Sequence, residues 1–325
     1  MSKKTGGNSS AKIRICCILN DRAGNAGAGL SARVSTSFAR HGLTPEFLHI
    51  SETASISRLA KSAAGGDYDI VVGGGGDGTI NAVASALVGT RTRLGILPVG
   101  TLNHFARDLK IPLELDAAVE TIVTGWPKAV DVGEVNGQIF LNNSSVGLYP
   151  AVIRLREGLQ RAGQGKWLAL LRASIAMLAR FRVLELDIRS KSRPPLRCRT
   201  ALLFVGNNKY DTNLSHLGTR EALDEGHLWV MTPTAASRWR LFATAVALAF
   251  IGEKLTDIIS FEAHGIVVSS KQRRLKVAAD GEVIQLQSPL KYRTRPKSLL
   301  VIVSKGRGQA WSTQMSSRNA RPNLR

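Results

Sequence analysis

DIVVGGGGDGTIN, at residues 69–81, is the segment of this chain that says most about its fold. It begins with a short apolar run that is typical of a buried strand, and the residues from Thr79 to Gly89 have helical spacing. Four consecutive glycines, Gly73 to Gly76, lie between the two. Glycine lets the backbone approach a ligand closely, and free N–H groups at the start of a helix bind anions. The stretch therefore predicts a strand, a phosphate-binding turn and a helix, with a plain tight turn as the simpler alternative.

Strand and helix patterns alternate on both sides of this turn through the first third of the chain. Strands are predicted at residues 12–20, 44–50, 67–73 and 94–100, and helices at residues 30–41, 55–64 and 79–89. Such alternation is typical of parallel strands joined by crossover helices. We expect an α/β N-terminal domain with a parallel sheet over residues 12–128.

After Pro127 the pattern changes to repeated strands. Asn136-Gly137 is a hairpin signal between two apolar runs, and five further short runs alternate in the same manner up to Glu282. We expect a β-rich, sandwich-like domain over residues 129–296. The last run, at about residues 297–304, is continuously apolar, as in parallel sheets, and we expect it to return to the first domain.

Other segments carry weaker signals. Residues 167–182 have helical spacing, and the apolar run at residues 241–252 predicts a helix that is buried or lies in a membrane interface. That run is much shorter than the roughly 20 residues of a spanning helix, so no transmembrane segment is expected. The polar ends, residues 1–11 and 306–325, are expected to be disordered.

Composition limits the partners and the compartment. The chain has 325 residues and a formal net charge of +20, so a polyanion is the expected partner, whether nucleic acid, anionic lipid or polyphosphate. Its three cysteines are too few for a disulfide framework or a paired zinc site. The first residues are polar and basic, without the apolar run of a secretory signal. These features predict a reducing, cytoplasmic location.

Two common nucleotide motifs fit this glycine turn poorly. Gly73, Gly75 and Gly78 match the G-x-G-x-x-G fingerprint of dinucleotide-binding proteins, but no acid follows from Ile80 to Arg107 to hold a ribose. No glycine here is followed by Lys and then Ser or Thr, as a Walker A loop requires. Both observations argue against these classes.

Asp77 is the unusual member of the turn. Phosphates would repel a carboxylate beside them unless a divalent cation lies between, or unless the carboxylate accepts a hydrogen bond from the nucleotide. An aspartate that caps the following helix is the structural alternative, and the two roles are compatible. The residue therefore favours metal–nucleotide chemistry.

Two blocks together carry a family resemblance: GGDGTIN at residues 75–81 and LGILPVGTLNHFARDLKIP at residues 94–112. They resemble the paired signature of the superfamily of diacylglycerol, sphingosine and NAD kinases, and among these the bacterial diacylglycerol kinase-like lipid kinases most. The similarity extends from about residue 12 to 304. It implies binding of ATP and Mg²⁺, with ATP held by these residues: Asn20, Gly75, Gly76, Asp77, Gly78, Thr79, Asn81, Gly100, Thr101 and Asn103.

The same resemblance points to a catalytic acid in Asp280-Gly281-Glu282. From the residues alone, this is a common hairpin turn. The resemblance implies that Glu282 is the general base, and that Asp280 supports it or contacts the nucleotide magnesium, as Asp77 would. Related enzymes also bind an accessory magnesium near Asp224 and Glu225, but Trp229 here replaces the final acid of that motif, so these two acids also fit a solvated turn.

The function implied is transfer of the ATP γ-phosphate to a lipid hydroxyl, diacylglycerol-like or sphingoid-like, in phospholipid metabolism. An NAD kinase is the alternative within the superfamily, although residues 140–144 lack the acid of its acceptor motif. A basic nucleic-acid-binding protein is the alternative of another class, because no acid follows Glu282. No stacking aromatics accompany these charges, so we expect them to dock a peripheral enzyme on the anionic inner membrane surface. The lipid and the oligomeric state stay open.

Overall fold

A computed structural model describes residues 13–20, 29–49, 55–147, 183–210, 220, 222–233 and 258–305. These residues form five helices and sixteen strands. The helices are α1 Leu30–Ala39, α2 Ile56–Ala64, α3 Asp77–Leu87, α4 His104–Asp108 and α5 Leu115–Thr124. The strands are β1 Ile15–Leu19, β2 Glu46–His49, β3 Ile70–Gly75, β4 Arg93–Pro98, β5 Trp126–Val135, β6 Gln138–Phe140, β7 Asn143–Gly147, β8 Leu184–Ser190, β9 Arg193–Thr200, β10 Leu202–Asn207, β11 Leu228–Pro233, β12 Ile258–Ala263, β13 Gly265–Ser270, β14 Arg274–Ala279, β15 Glu282–Gln287 and β16 Leu290–Val303.

The N-terminal part of the larger sheet is parallel, in the order β2-β1-β3-β4. Its central strands are apolar on both faces: Cys16, Cys17, Val71 and Val72 are fully buried. Such strands require helices on both faces of the sheet. This parallel arrangement agrees with the strand and helix alternation seen in the sequence.

The sheet as a whole is mixed. β16 pairs with β4 in parallel and with β13 antiparallel, and β8 and β9 continue the sheet beyond β13. β16 begins at Leu290, well before the strand expected at about residue 297. Its first half packs in the C-terminal core and its last residues pack in the N-terminal core. One strand therefore serves both parts of the chain, and the division near residue 128 stays a prediction.

The C-terminal region is rich in strands, as predicted. A second, antiparallel sheet has the order β12-β11-β10-β7-β14-β15. Residues on its inner face, such as Leu203 and Val277, share a core with Leu186 and Ile266 of the larger sheet. The burial of this core orients β7 and β14, which carry the turns of the site.

Some sequence predictions lie outside the described residues. These are the helices at residues 167–182 and 241–252, and both disordered ends. Among the described residues, no helix is long and apolar enough to cross a bilayer.

Candidate active site

The glycine turn, Gly73–Gly78, joins the end of β3 to the start of α3. Packing leaves little room for a side chain at two of its glycines. A β-carbon placed on Gly74 would lie 2.4 Å from Leu19 Cδ2, and one on Gly75 would lie 2.4 Å from Thr79 Oγ1. The end of the Leu19 side chain can move away from such an atom, but a β-carbon on Gly75 would also lie 2.5 Å from Thr79 Cβ, so Gly75 is the position where packing favours glycine.

The turn after β4 contacts the glycine turn directly. A β-carbon on Gly100 would lie 2.3 Å from Gly76 Cα, so the two backbones meet without intervening side chains. Asn103 holds this second turn in place from the left-handed region, at φ 53°, where asparagine is tolerated. Its Nδ2 donates hydrogen bonds to the carbonyl oxygens of Pro98 at 2.9 Å and Gly100 at 2.8 Å.

This pair of turns contains one buried polar atom without a hydrogen-bond partner and one exposed glycine. Asn103 Oδ1 is buried and has no hydrogen-bond partner in the described part of the chain. Gly78, by contrast, is exposed. Because buried polar atoms are nearly always hydrogen-bonded, the orphaned oxygen marks a place where a donor is missing.

Other predicted residues lie around the turn. Asn20 Nδ2 lies 3.3 Å from Thr79 Oγ1, and its backbone N–H donates to the Gly74 carbonyl oxygen at 2.8 Å. Asp77, at the first position of α3, accepts a long hydrogen bond of 3.4 Å from the backbone N–H of Phe105. β1, β3 and α4 therefore converge at one edge of the sheet.

Asp280 lies in the turn between β14 and β15, at φ 46°, and its carboxylate is enclosed by donors. Oδ1 accepts from the backbone N–H groups of Asn142 at 2.8 Å and Asn143 at 3.1 Å, and Oδ2 accepts from Leu141 N–H at 2.7 Å. The Asn81 carboxamide of α3 also donates to Oδ2. Burial raises the pKa of Asp280, and these hydrogen bonds oppose the rise.

Glu282 is the first residue of β15 and is exposed. A β-carbon on Gly78 would lie 3.4 Å from Glu282 Oε1, so the carboxylate lies against the glycine turn. The Asp280–Asn81 hydrogen bond fixes this approach, because it joins the β14–β15 turn to α3. The structure thus brings Asp280 and Glu282 to the glycine turn, which lies about 200 residues earlier in the sequence.

The proposed accessory acids lie elsewhere. Asp224 is 3.8 Å from Lys128 Nζ, in an ion pair on the surface. Within the described ranges, no three His, Cys, Asp or Glu side chains are grouped closely enough to hold a metal ion. A solvated turn is thus the reading that the ion pair of Asp224 favours.

Sequence comparisons relate this chain to known proteins. Residues 14–135 match the model of the diacylglycerol kinase catalytic domain. A diacylglycerol kinase from Bacillus subtilis (strain 168) is 30% identical over 236 residues, which cover 70% of this chain and 75% of that protein. The chain belongs to the diacylglycerol kinase family.

Further relatives agree with this family membership. A probable YegS-like lipid kinase from Yersinia enterocolitica is 41% identical over 100 residues, which are 30% of this chain and 34% of that protein. The crystal structure of a diacylglycerol kinase from Bacillus anthracis str. Sterne superposes with a TM-score of 0.65 at 21% identity, covering 90% of this chain and 97% of that chain. At this identity, the structural match supports the fold alone.

In this member of the diacylglycerol kinase family, several residues near the site had no sequence signal. Leu141 and Asn142 look like part of one continuous strand, yet they form the break between β6 and β7 that binds Asp280. Arg220 is a lone cation between polar residues in the sequence, but its side chain is completely buried against Asp108. Pairing of distant residues of this kind is not visible in local patterns.

Proposed function

We propose that this protein is an ATP-dependent lipid kinase, which transfers the γ-phosphate of Mg-ATP to a lipid hydroxyl. The observation that carries the proposal is the approach of Glu282, from the β-rich region, to Gly78 of the glycine turn, where an added β-carbon would lie 3.4 Å from Glu282 Oε1. A phosphoryl acceptor needs a proton acceptor near the phosphate site, and two separate parts of the chain meet there.

The glycine turn fits a triphosphate. Gly76 and Gly100 bring two backbones close together, and Gly78 is exposed at the start of α3. Free N–H groups at the start of a helix bind phosphate oxygens, and the helix dipole favours negative charge there. With 11 residues, α3 has about three turns that contribute to this dipole. The unpartnered Asn103 Oδ1 supplies an acceptor for a donor group of a nucleotide.

Magnesium fits one carboxylate of this site better than another. Mg²⁺ at kinase sites is held by one or two carboxylates together with the phosphates of the substrate. Asp77 has one long hydrogen bond and lies in the turn, so it would hold the ion. Asp280 accepts four hydrogen bonds from protein donors, and we assign it a positioning role rather than a metal contact.

Glu282 is the proposed general base. Its carboxylate is exposed beside Gly78, where an incoming hydroxyl could donate a proton to Oε1 or Oε2. Asp280 determines where that carboxylate lies, because it fixes the turn that precedes β15. As the alcohol oxygen attacks the γ-phosphorus in line, its proton would pass to the Glu282 carboxylate, the bond from the γ-phosphorus to the β–γ bridging oxygen would break, and ADP would leave.

The acceptor class rests on the relatives, whose names are diacylglycerol kinase and probable lipid kinase. We propose a lipid alcohol, diacylglycerol-like or sphingoid-like, that is presented at an anionic membrane surface on the cytoplasmic side. The net charge of +20 supports such docking, because each Lys or Arg near anionic lipid contributes about 1 kcal/mol.

The proposal is tested with γ-labelled ATP in three reactions, which contain a total lipid extract, NAD, or no acceptor as the control. Thin-layer chromatography separates labelled phospholipid from labelled NADP. We expect label in a lipid that is sensitive to phosphatase, and none with the variant Gly76→Asp, which adds a charged side chain to the turn. Label in NADP alone would replace the proposal with an NAD kinase, and label in neither product would overturn it.

A further inference from the structure

Arg220 makes an unusually complete set of contacts for a residue outside the glycine turns. Its Nε donates to Asp108 Oδ2 at 2.8 Å, and its Nη1 donates to the carbonyl oxygens of Leu141 at 2.7 Å and Asn207 at 2.9 Å. Its Nη2 donates to Asn142 Oδ1 at 2.8 Å. All three nitrogens of the guanidinium are therefore used, and they reach four separate acceptors.

Burial of this ion pair has a desolvation cost. The side chains of Arg220 and Asp108 are 0% and 5% exposed, so both charges are removed from water. A buried ion pair seldom stabilises a fold more than apolar residues of the same size would, because of its desolvation cost. In some proteins, buried polar groups instead specify one geometry. The question is therefore which geometry this pair determines.

On one side, Arg220 fixes the residues that hold Asp280. Leu141 and Asn142 accept from the guanidinium through a carbonyl and a carboxamide oxygen, and their backbone N–H groups donate to the Asp280 carboxylate. The same short segment is therefore bonded by a cation on one side and by an anion on the other. Its position cannot shift without breaking contacts to both.

On the other side, the ion pair leads back to the glycine turn. Asp108 is the last residue of α4, and the second residue of that helix, Phe105, donates its N–H to Asp77. Asp77 and Asn81 lie one turn apart on α3, and Asn81 donates to Asp280. These contacts form a closed ring through α3, α4, Arg220, the β6–β7 turn and the β14–β15 turn.

We propose that Arg220 is a positioning residue, which locks this ring and so holds Glu282 against the glycine turn. Arg220 does not contact Gly78 or Glu282 itself and acts through Asp280. Lysine cannot replace it, because a single ammonium group cannot reach acceptors arranged around a planar fork. The catalytic consequence rests on the proposed kinase function, whereas the ring itself does not.

The ring is tested first by hydrogen exchange on the wild-type protein. The amides of Leu141 and Asn142 donate to Asp280, and that of Phe105 donates to Asp77. Because all three bonds belong to the ring, we expect these amides to exchange through one shared opening, with the same dependence on urea. Separate openings, with different dependences on urea, would overturn the ring. This measurement needs neither a substrate nor a variant.

The variant Arg220→Lys then tests the role of the guanidinium. We expect at least tenfold faster exchange at Leu141 and Asn142, because the Asp280 contacts loosen. Arg293→Lys is the matched control, because Arg293 forms a 2.8 Å ion pair with Glu134 that is not part of the ring. In this variant, the amides of Leu141 and Asn142 should exchange as fast as in wild type. Asp108→Asn keeps the size of the residue and removes the charge, so it serves if Arg220→Lys does not fold.

In the kinase assay, we expect Arg220→Lys to lower kcat by about 10- to 100-fold with KM for ATP changed less than twofold, because small misplacements of catalytic groups are costly. A purely structural role predicts loss of folded protein with normal kcat per folded molecule, and that result would overturn the proposal. If wild type transfers no phosphate to lipid, the proposed function fails, while the exchange measurements still decide the role of Arg220.

Discussion

Asp280→Asn is the substitution whose effect can be worked out most fully from the structure. It keeps the size of the side chain and replaces one acceptor oxygen with an NH₂ group. If that group takes the place of Oδ2, it faces two donors, Leu141 N–H and the Asn81 carboxamide. Asn81 can rotate its carboxamide and accept instead, but the backbone N–H of Leu141 has no such alternative.

The cost follows from these contacts. One buried donor without a partner costs about 1–3 kcal/mol. The remaining hydrogen bonds lose the charge that strengthened them, but the neutral side chain also avoids the desolvation that raises the pKa of Asp280, so these two effects oppose each other. The unpaired donor therefore sets the expected loss, about 1–3 kcal/mol of unfolding free energy or roughly a 5- to 100-fold change in the unfolding equilibrium constant. We also expect transfer to fall, because the turn that carries Glu282 loosens.

Urea denaturation followed by circular dichroism measures this cost, with an unchanged slope showing that the midpoint alone has moved. Asp224→Asn is the matched control, because Asp224 forms only a surface ion pair with Lys128, and such pairs contribute little. If Asp280→Asn were as stable as wild type, the four hydrogen bonds to Asp280 would not be what holds the turn.

Two further predictions concern the packing of the N-terminal sheet. Gly100→Ala should lower the melting temperature and abolish nucleotide binding measured by calorimetry, because its methyl group would lie 2.3 Å from Gly76 Cα. Gly76→Ala is the control and should fold normally, because its methyl group would lie 3.6 Å from Gly100 Cα. Normal nucleotide binding by Gly100→Ala would contradict the close approach of the two turns. Burial raises the pKa of Cys16 to about 12 and also raises that of Cys17, so both thiols stay protonated and inaccessible at pH 8. A thiol reagent should therefore label at most Cys198 in the native protein and three thiols in urea, and labelling of three thiols without urea would show that β1 is not buried.

The central strand, the glycine turn and the following helix could be predicted because each has a strong local signal. The apolar run at residues 70–72 is typical of a strand buried on both faces, and α3 begins at Asp77 within the predicted motif. The β5–β6 hairpin follows from Asn136-Gly137, which adopt φ values of 46° and 87°. In each case, the residues that decide the structure are neighbours in the sequence.

Strands that depend on distant partners were harder to predict. β9 contains Pro194 and Pro195, which argue against a strand, yet it lies at the edge of the larger sheet, where proline is tolerated. β7 is separated from β6 because Asp280 binds the backbone between them. Neither feature can be seen without the neighbouring strand.

The candidate site shows the same division. A short motif predicted the residues of the glycine turn, and the family resemblance predicted Glu282. The structure places Glu282 Oε1 3.4 Å from where a β-carbon on Gly78 would lie. The two readings of Asp280-Gly281-Glu282, a hairpin turn and an active-site acid, are compatible, because the turn connects β14 to β15 at the edge of the site. The contacts of Arg220 were not predicted, because a cation in a polar segment gives no local signal that it will be buried.

The most direct test of the account compares binding with turnover in Glu282→Gln. Calorimetry with Mg-ATP measures binding, and transfer of γ-labelled phosphate to lipid measures turnover. Glu185→Gln is the control, because Glu185 is an exposed glutamate that pairs with Lys271 at 2.7 Å on another hairpin. We expect Glu282→Gln to bind Mg-ATP like wild type and to lose at least 100-fold in turnover, in the range of general-base catalysis. An active Glu282→Gln enzyme would show that Glu282 is not the base.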